Sequence, residues 1–391
     1  MNMKRILKKI HLWVGLTTGI IMFIVCITGA IWAFKLNGWV GQDKNDKVEG
    51  GLIREMSPPS ELFAIIRDSV ECMPGYITYD RDKHTQIGSY AKDCQYTYLV
   101  HPFSKNIYKK TIGNASYYSG FWGFIGRGHR ALWLPWHIGR PIVNYATLLF
   151  VVCLLSGLII WIPKTKKGLK NRLIFNWKKT TNRKRKIFDI HIVAGFYICF
   201  FLLTIACTGM VWGIEWWSKG LYRITTGGKE LVNGGYARNV RSDSTTINVK
   251  ITVPDAVDYV FHKLSEENPG AYSVYISYPD TSDTLSSIRT YVYYSTHYDA
   301  FVFDRYTLKE LNPDSPYLGK YEDKSFGDKL RTQNYNIHIG AILGTPGKVL
   351  AVFISLFGAS LPVTGVYMYL AKKRKRAKKN LRKKILTVAS H

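Results

Sequence analysis

The sequence predicts an α-helical membrane protein with four transmembrane helices in two tandem repeats and two extracytoplasmic α+β domains. Three observations carry that expectation. Four apolar runs, 12–34, 142–162, 192–214 and 349–370, contain no Asp, Glu, Lys or Arg. Each is just over the roughly 20 residues that a helix needs to cross a hydrocarbon core. The basic charge is one-sided: the N-terminus, "KTKKGLKNRLIFNWKKTTNRKRK" (164–186) and "KKRKRAKKNLRKK" (372–384) hold 25 of the 54 Lys and Arg residues. The chain also repeats. His11, Gly15 and Thr28-Gly29 recur 180 residues later as His191, Gly195 and Thr208-Gly209.

The elements follow in order. Residues 1–34 are a short cytoplasmic N-terminus with Lys4, Arg5, Lys8 and Lys9, then the first transmembrane helix. Its apolar run is longer than the h-region of a secretory signal, and no A-x-A site follows, so it reads as a retained anchor. Residues 35–116 form the first outer domain. "SPPSELFAIIRDSVECMPGYITYD" has Pro, an amphipathic helix pattern and Pro-Gly. "QYTYLVHPFSKNIYKK" then alternates as strands do, with "SKN" as a turn. Residues 117–141 are Gly-rich and aromatic, suited to headgroup depth. The second helix is 142–163 and the basic cytoplasmic loop 164–188.

The third helix is 189–214, and 215–337 is the second outer domain. There "TVPDAVDYVFHKLSEENPGAYSVYIS" repeats Pro-helix-Pro-Gly at an offset of 195 residues. "RTYVYYSTHYDAFVFDRYTLKEL" repeats the strands, with "HYD" expected as the turn. An interfacial turn and the fourth helix occupy 338–370, and a basic cytoplasmic tail 371–391. The positive-inside rule places the basic segments in the cytoplasm and the large segments outside. That topology, with attraction to anionic lipid, accounts for the net charge of +27 without nucleic acid.

Six cysteines form no C-x-x-C and no C-x-x-C-H. Cys26, Cys153, Cys199 and Cys207 read as small apolar residues of the membrane runs. Cys72 and Cys94 share an outer segment, where an oxidising compartment permits a disulfide without establishing it.

Four of the ten histidines sit at repeated positions. His11 and His191 open the first and third helices. His129 precedes Ser156-Gly157, and His338 precedes Thr364-Gly365, by 27 and 26 residues. A single imidazole at a membrane end is ordinarily an interfacial residue with a wet polar tip. Duplicated imidazoles on opposed helices at two depths have another use. His11 with His191, and His129 with His338, are placed for bis-imidazole ligation of haem iron, which takes ligands on opposite faces. Gly15 and Gly195, one turn along the same face, would leave room for a flat ring. Their ordinary use is close helix packing, and the Thr-Gly and Ser-Gly pairs are read that way. Zinc would lack its third and fourth ligands. Arg130, Arg140 and Lys348 outside, and Lys8, Lys9 and Lys186 inside, are candidate partners for propionates, although topology explains each cation by itself. His137 is an alternative outer ligand with no counterpart before the fourth helix.

These stretches carry a resemblance. "KKIHLWVGLTTGIIMFIVCITGAIWAF", "GHRALWLPWHIGRPIVNYATLLFVVCLLSGLIIWIPK", "FDIHIVAGFYICFFLLTIACTG" and "YNIHIGAILGTPGKVLAVFISLFGASLPVTGVYMYL" resemble PepSY-associated transmembrane proteins of the iron-regulated and siderophore-iron reductase type, over about residues 4–376. "LWLPWHIG" departs from the milder Gly-containing stretch usual there. The resemblance implies PepSY-like outer domains over a bundle holding two non-covalent b-type haems, with His11, His129, His191 and His338 as axial ligands; Gly15, Gly195, Arg130 and Arg140 are the cofactor-binding residues expected beside them from their positions. It implies a bacterial inner-membrane reductase, N- and C-termini cytoplasmic, passing electrons to a ferric siderophore or other ferric chelate in the periplasm. The donor would be a quinol or protein, since no nucleotide-binding Gly-rich strand-turn-helix is evident. The alternative is a non-enzymatic, membrane-anchored PepSY module that binds a peptide or protein partner.

Overall fold

The structure is a computed structural model that describes residues 3–40, 46–112, 120–163, 165–231, 240–243, 245, 251–312 and 314–389. Tyr117 to Ser119, which open the aromatic segment, and Lys164, which opens the basic loop, lie outside the described residues. The chain divides into a helical unit (Met1–Val40, Tyr117–Ser218 and Tyr335–His391) and a sheet unit (Gly41–Ser116 and Lys219–Asn334).

In chain order the elements begin with α1 (Met3–Leu36), α2 (Pro59–Ile66), β1 (Tyr76–Asp80), β2 (Thr85–Ala91), β3 (Cys94–Val100) and β4 (Ile107–Ile112). Next come α3 (Gly120–Ala131), α4 (Trp136–Trp161), α5 (Lys166–Leu173), α6 (Arg183–Asp189), a π-helical turn (Ile190–Ala194) and α7 (Gly195–Met210). The chain continues with α8 (Glu215–Thr225), α9 (Val253–Glu267), β5 (Ser273–Ser277), β6 (Ile288–Tyr293), β7 (Tyr298–Phe303), α10 (Phe326–Thr332), α11 (Asn334–His338) and α12 (Gly344–Ala389).

Among the described residues four helical stretches are long and apolar enough to cross a membrane: Met3–Leu36, Trp136–Trp161, Arg183–Met210 and Ala341–Asn380. They match the four charge-free runs. Within the helical unit α1 packs on α4 and α12, and α7 packs on the same two. The core between them is built of Met22, Phe150, Leu154, Ile198, Leu202 and Ile354. Lys4 Nζ donates to the Ile162 carbonyl at 2.7 Å, and Arg172 Nη1 donates to the Trp161 carbonyl. These contacts tie the start of α1 and the basic loop to one end of α4. The fourth helix does not stop at residue 370. It runs on through the described basic tail as one helix, because Lys and Arg are good helix formers and no Gly or Pro interrupts 366–389.

The sheet unit corrects one expectation. Two separate outer α+β domains were expected. Instead both segments build a single seven-stranded antiparallel sheet in the order β4-β3-β2-β1-β5-β6-β7. The seam is the β1–β5 pair, where Tyr76 lies opposite Ser277, Thr78 opposite Tyr275 and Asp80 opposite Ser273. A four-stranded and a three-stranded sheet would each leave an unpaired edge; joining them satisfies both rows of backbone groups. The strands alternate as the sequence predicts. Ile77, Tyr79, Val274 and Ile276 turn into one core with Leu62, Phe63 and Ile66 of α2 and Val257, Val260 and Phe261 of α9. The helices begin with Pro59 and Pro254 near their first turns, where a missing N–H costs nothing. Pro58 gives α2 no side-chain cap; Asp258 of α9 supplies it, accepting from Ser60 N at 2.8 Å and Ser60 Oγ at 2.5 Å. A carboxylate at that end also suits the helix dipole.

Two local expectations resolve here. Cys72 and Cys94 are joined by a disulfide. The turn between β6 and β7 is not "HYD": Tyr298 and Asp299 already belong to β7, and Tyr294 N–H donates to the His297 carbonyl to close the turn. Asp299 is buried and accepts from Tyr321 N at 2.7 Å, so a turn-type residue is held in a strand by a tertiary partner.

Phe261 is fully buried and packs on Tyr79 with ring centroids 4.5 Å apart. Phe261→Ala is expected to destabilise the sheet unit by about 3–5 kcal/mol. The check is earlier thermal unfolding of the full chain with faster proteolysis within the sheet unit.

Candidate functional site

The helical unit brings the repeated histidines together in the expected pairs. The His11 and His191 ring centroids are 6.3 Å apart with an interplanar angle of 85°. Those of His129 and His338 are 6.5 Å apart at 53°. His137 is exposed and is not the partner of His338.

Each ring is cradled by a neighbouring helix in the same manner. His11 Nδ1 lies 3.0 Å from the Cys153 carbonyl and 3.3 Å from Ser156 Oγ. His129 Nδ1 lies 2.9 Å from the Val25 carbonyl. His338 Nδ1 lies 3.0 Å from both the Ile205 carbonyl and Thr208 Oγ1. His191 Nδ1 lies 2.8 Å from Thr364 Oγ1, with Leu361 as its backbone partner. In every case the carbonyl belongs to the residue three before a Ser or Thr.

That arrangement decides the tautomer. The carbonyls are acceptors only. The hydroxyls have given their protons to their own helices: Ser156 to the Cys153 carbonyl at 2.8 Å, Thr208 to Thr204 at 2.8 Å and Thr364 to Ser360 at 2.9 Å. Each Nδ1 therefore carries the proton and donates it, which leaves the lone pair on Nε2. Among the described residues no hydrogen bond holds Nε2 in any of the four. Imidazoles that ligate metals are oriented in this way, by a bond from the other ring nitrogen.

The spacing suits one ion between each pair. Two metal–nitrogen bonds of about 2 Å, each extended by roughly 1.1 Å from ring nitrogen to ring centre, span about 6 Å. Among the described residues no group of three or more His, Cys, Asp or Glu could hold a metal ion. The donor set is thus two imidazoles per site, suited to axial ligation and short of a tetrahedral site.

Glycine makes the close approach possible, at positions other than those first singled out. A Cβ added at Gly29 would stand 2.8 Å from His129 Cε1, at Gly157 3.0 Å from His11 Cε1, at Gly209 3.1 Å from His338 Cε1, and at Gly365 3.6 Å from His191 Cε1. These are the glycines of the Thr-Gly and Ser-Gly pairs, which the sequence reading gave to packing. Gly15 and Gly195 instead face Cys153 and Leu361 at 3.5 Å, so they serve helix contact. The signal for the cradle was present as the repeat of Thr28-Gly29 at Thr208-Gly209. A second signal was Trp32 and Trp212, also 180 residues apart. Trp32 packs on His129 at 5.8 Å and Trp212 on His338 at 5.3 Å.

The chain bends to aim the rings. His191 sits in the π-helical turn, a local widening that re-aims side chains and recurs at functional sites. His129 lies near the end of α3, followed by Leu132 (φ 52°) and Trp133 (φ 59°) in left-handed conformation. Such non-glycine residues cost backbone energy. Trp133 Nε1 donating to the Phe124 carbonyl at 2.9 Å, with its ring stacked on Phe124, offsets part of it. The matching break after His338 uses Gly340 at φ 77°. Arg130 lies over Trp32 at 4.8 Å, and Arg140 over Trp136 at 4.8 Å, with Nη2 donating to the Trp212 carbonyl at 3.0 Å. Both cations thus stand at the end of the bundle that holds His129 and His338.

The family description "PepSY-associated TM region" matches residues 8–372. No curated protein matches the chain.

The cradle gives a test with its own control. Gly29→Ala places a methyl against the His129 ring and is expected to cost about 1–3 kcal/mol of bundle stability. Gly220→Ala, where nothing lies within 4 Å, should be neutral or slightly stabilising. Thermal unfolding midpoints in detergent separate the two.

Proposed function

We propose that this chain, which belongs to the PepSY-associated TM family, is a membrane reductase that holds two b-type haems and passes electrons outward to a ferric chelate. One observation carries the reading: two His pairs, each drawn from the two halves of the sequence, stand at ligation spacing with Nδ1–H committed to acceptors. Both would be bis-imidazole sites. A haem held by His11 with His191, or by His129 with His338, would supply a one-electron carrier.

The residues of this chain do the rest. His11, His191, His129 and His338 present neutral imidazole lone pairs. The Cys153, Val25, Ile205 and Leu361 carbonyls fix their tautomer and ring orientation. Arg130 and Arg140 offer positive charge to propionates at the outer pair, while Lys8, Lys9 and Lys186 lie toward the inner one. His11 and Val25, the latter the residue that holds His129, stand 14 residues apart on α1, about 21 Å of helix. That separation divides the roughly 30 Å hydrocarbon core into shorter hops.

Direction follows from charge. Lys4 and Arg172 tie the basic segments to one end of α4, and the positive-inside rule makes that end cytoplasmic. We place the protein in the bacterial inner membrane, termini inside and sheet unit in the periplasm. The Cys72–Cys94 disulfide agrees with an oxidising compartment. The acceptor is a ferric siderophore or other ferric chelate, which gains one electron to become the ferrous form. The donor is a quinol or a protein.

The absorption spectrum of protein purified after expression with adequate haem tests this. A Soret band with about two haems per chain is expected. His11→Ala and His338→Ala should each remove one of them. A protein with no Soret band would sink the reductase reading and leave the membrane-anchored binding module. Loss of neither haem in the two variants would reject these ligand pairs.

A further inference from the structure

The sheet unit carries a groove that the redox reading does not use. It lies at one end of the β1–β5 seam, with a volume of about 510 Å³, within the range of small-molecule sites. Its walls come from both outer segments. Met73-Pro74-Gly75 and Ser89–Ala91 form one side, and Tyr275, Asp280, Asp283, Ser286, Ser287 and Arg289 the other.

Aromatic rings lead into it. Tyr90 stacks flat on Tyr76 with centroids 4.7 Å apart at 12°, and Tyr76 stacks on Tyr275 at 6.0 Å and 13°. The row lies on the face of the sheet opposite the Ile77 and Tyr79 core. Tyr76 is buried within it, whereas Tyr90 is 72% exposed. The row therefore ends in an open phenol ring at the groove, a preformed stacking platform.

The charges at the groove balance except for one. Arg241 is neutralised by Asp283 at 2.7 Å. The Asp280 carboxylate accepts from Ser282 N and Oγ at 2.9 and 2.7 Å, with Arg305 alongside. Arg289 has no carboxylate partner among the described residues. Its Nε reaches only the neutral Ser277 Oγ at 3.3 Å, beside the Tyr275 phenol. The walls are stiff: the Cys72–Cys94 disulfide, Gly75 N–H to the Gly88 carbonyl at 2.8 Å, and Tyr278 N–H to the Gly75 carbonyl at 3.0 Å hold the rim. A preformed site loses little entropy on binding.

We propose that this groove binds a small aromatic anion, an aryl carboxylate or phenolate, with its ring against Tyr90 and its negative group on Arg289. An exposed ring favours a flat π-surface over an aliphatic one, and an unpaired guanidinium favours a planar oxyanion. The site lies wholly within the sheet unit, and binding involves no redox step, so its failure would leave the haem reading untouched.

Calorimetric titration of the full chain in detergent with salicylate tests it. Saturable binding is expected, weakened roughly tenfold or more by Arg289→Gln, since a charge-assisted hydrogen bond is lost. Tyr90→Ala, at an exposed position whose loss should not unfold the sheet, should weaken it by a smaller factor. Cyclohexanecarboxylate should bind distinctly more weakly than salicylate. No saturable binding by the wild-type chain, binding unchanged in both variants, or equal affinity for the two acids would each overturn the proposal.

Discussion

The helical unit depends on one repeated interaction: an Nδ1–H of histidine donating to a helix that has made room for it. A residue in a regular helix has its carbonyl engaged by its own ladder, yet that oxygen has a second lone pair. A ring reaches it only where the helix surface is low. Glycine immediately after Ser156, Thr28, Thr208 and Thr364 lowers the surface, and the hydroxyl before it returns its proton to its own helix. The pair of residue types thus does two jobs at once. It admits the ring, and it presents only acceptors to it. In a region without water, where an unmet polar group is costly, this is a way to hold four neutral imidazoles in one tautomer.

The irregularities in the helices follow from that requirement. α1 presents His11 from an unbroken helix, whereas the chain breaks after His129 and His338 and widens at His191. The two breaks are made differently. Gly340 takes its left-handed conformation without steric cost, whereas Leu132 and Trp133 take theirs against it. The stretch "LWLPWHIG" is where that occurs, and stacking of Trp133 on Phe124 holds it.

Much of this was legible in the sequence. Charge-free runs gave the helices because hydrocarbon admits little else; the 180-residue repeat gave the pairing of His11 with His191, and near-equal distances to Ser156-Gly157 and Thr364-Gly365 gave that of His129 with His338. What was missed has a common cause. Thr28-Gly29 and its counterparts were visible as repeats, but small residues are the ordinary currency of helix packing, so composition could not distinguish a cradle from a seam. Gly15 and Gly195 show the reverse: equally repeated, they meet Cys153 and Leu361. The sheet was legible strand by strand, since period-2 alternation marks which residues face a core. It does not mark which edges meet, so the β1–β5 seam that fuses the two outer segments was invisible. The displaced turn at Tyr298-Asp299 is a case of tertiary bonding overruling turn propensity, with Asp299 satisfied by Tyr321 N.

The seam has a consequence beyond pairing. Because β1 and β5 run antiparallel, each end of the seam joins the start of one strand to the end of the other, and the flanking loops differ at the two ends. At one end Asp80 and Asp82 gather, with Lys83 3.8 Å from Asp80 and the Tyr272 hydroxyl donating to Asp82 at 3.0 Å. At the other stand the Cys72–Cys94 disulfide, the open ring of Tyr90 and the guanidinium of Arg289. Duplication alone would make the two ends alike. Their different chemistry comes from the flanking loops, which at the groove leave the Arg289 guanidinium without a carboxylate partner among the described residues. An anion in the groove would supply the negative charge, while the helix-covered face, shared by Phe261 and Tyr79, keeps the core that holds both ends in place.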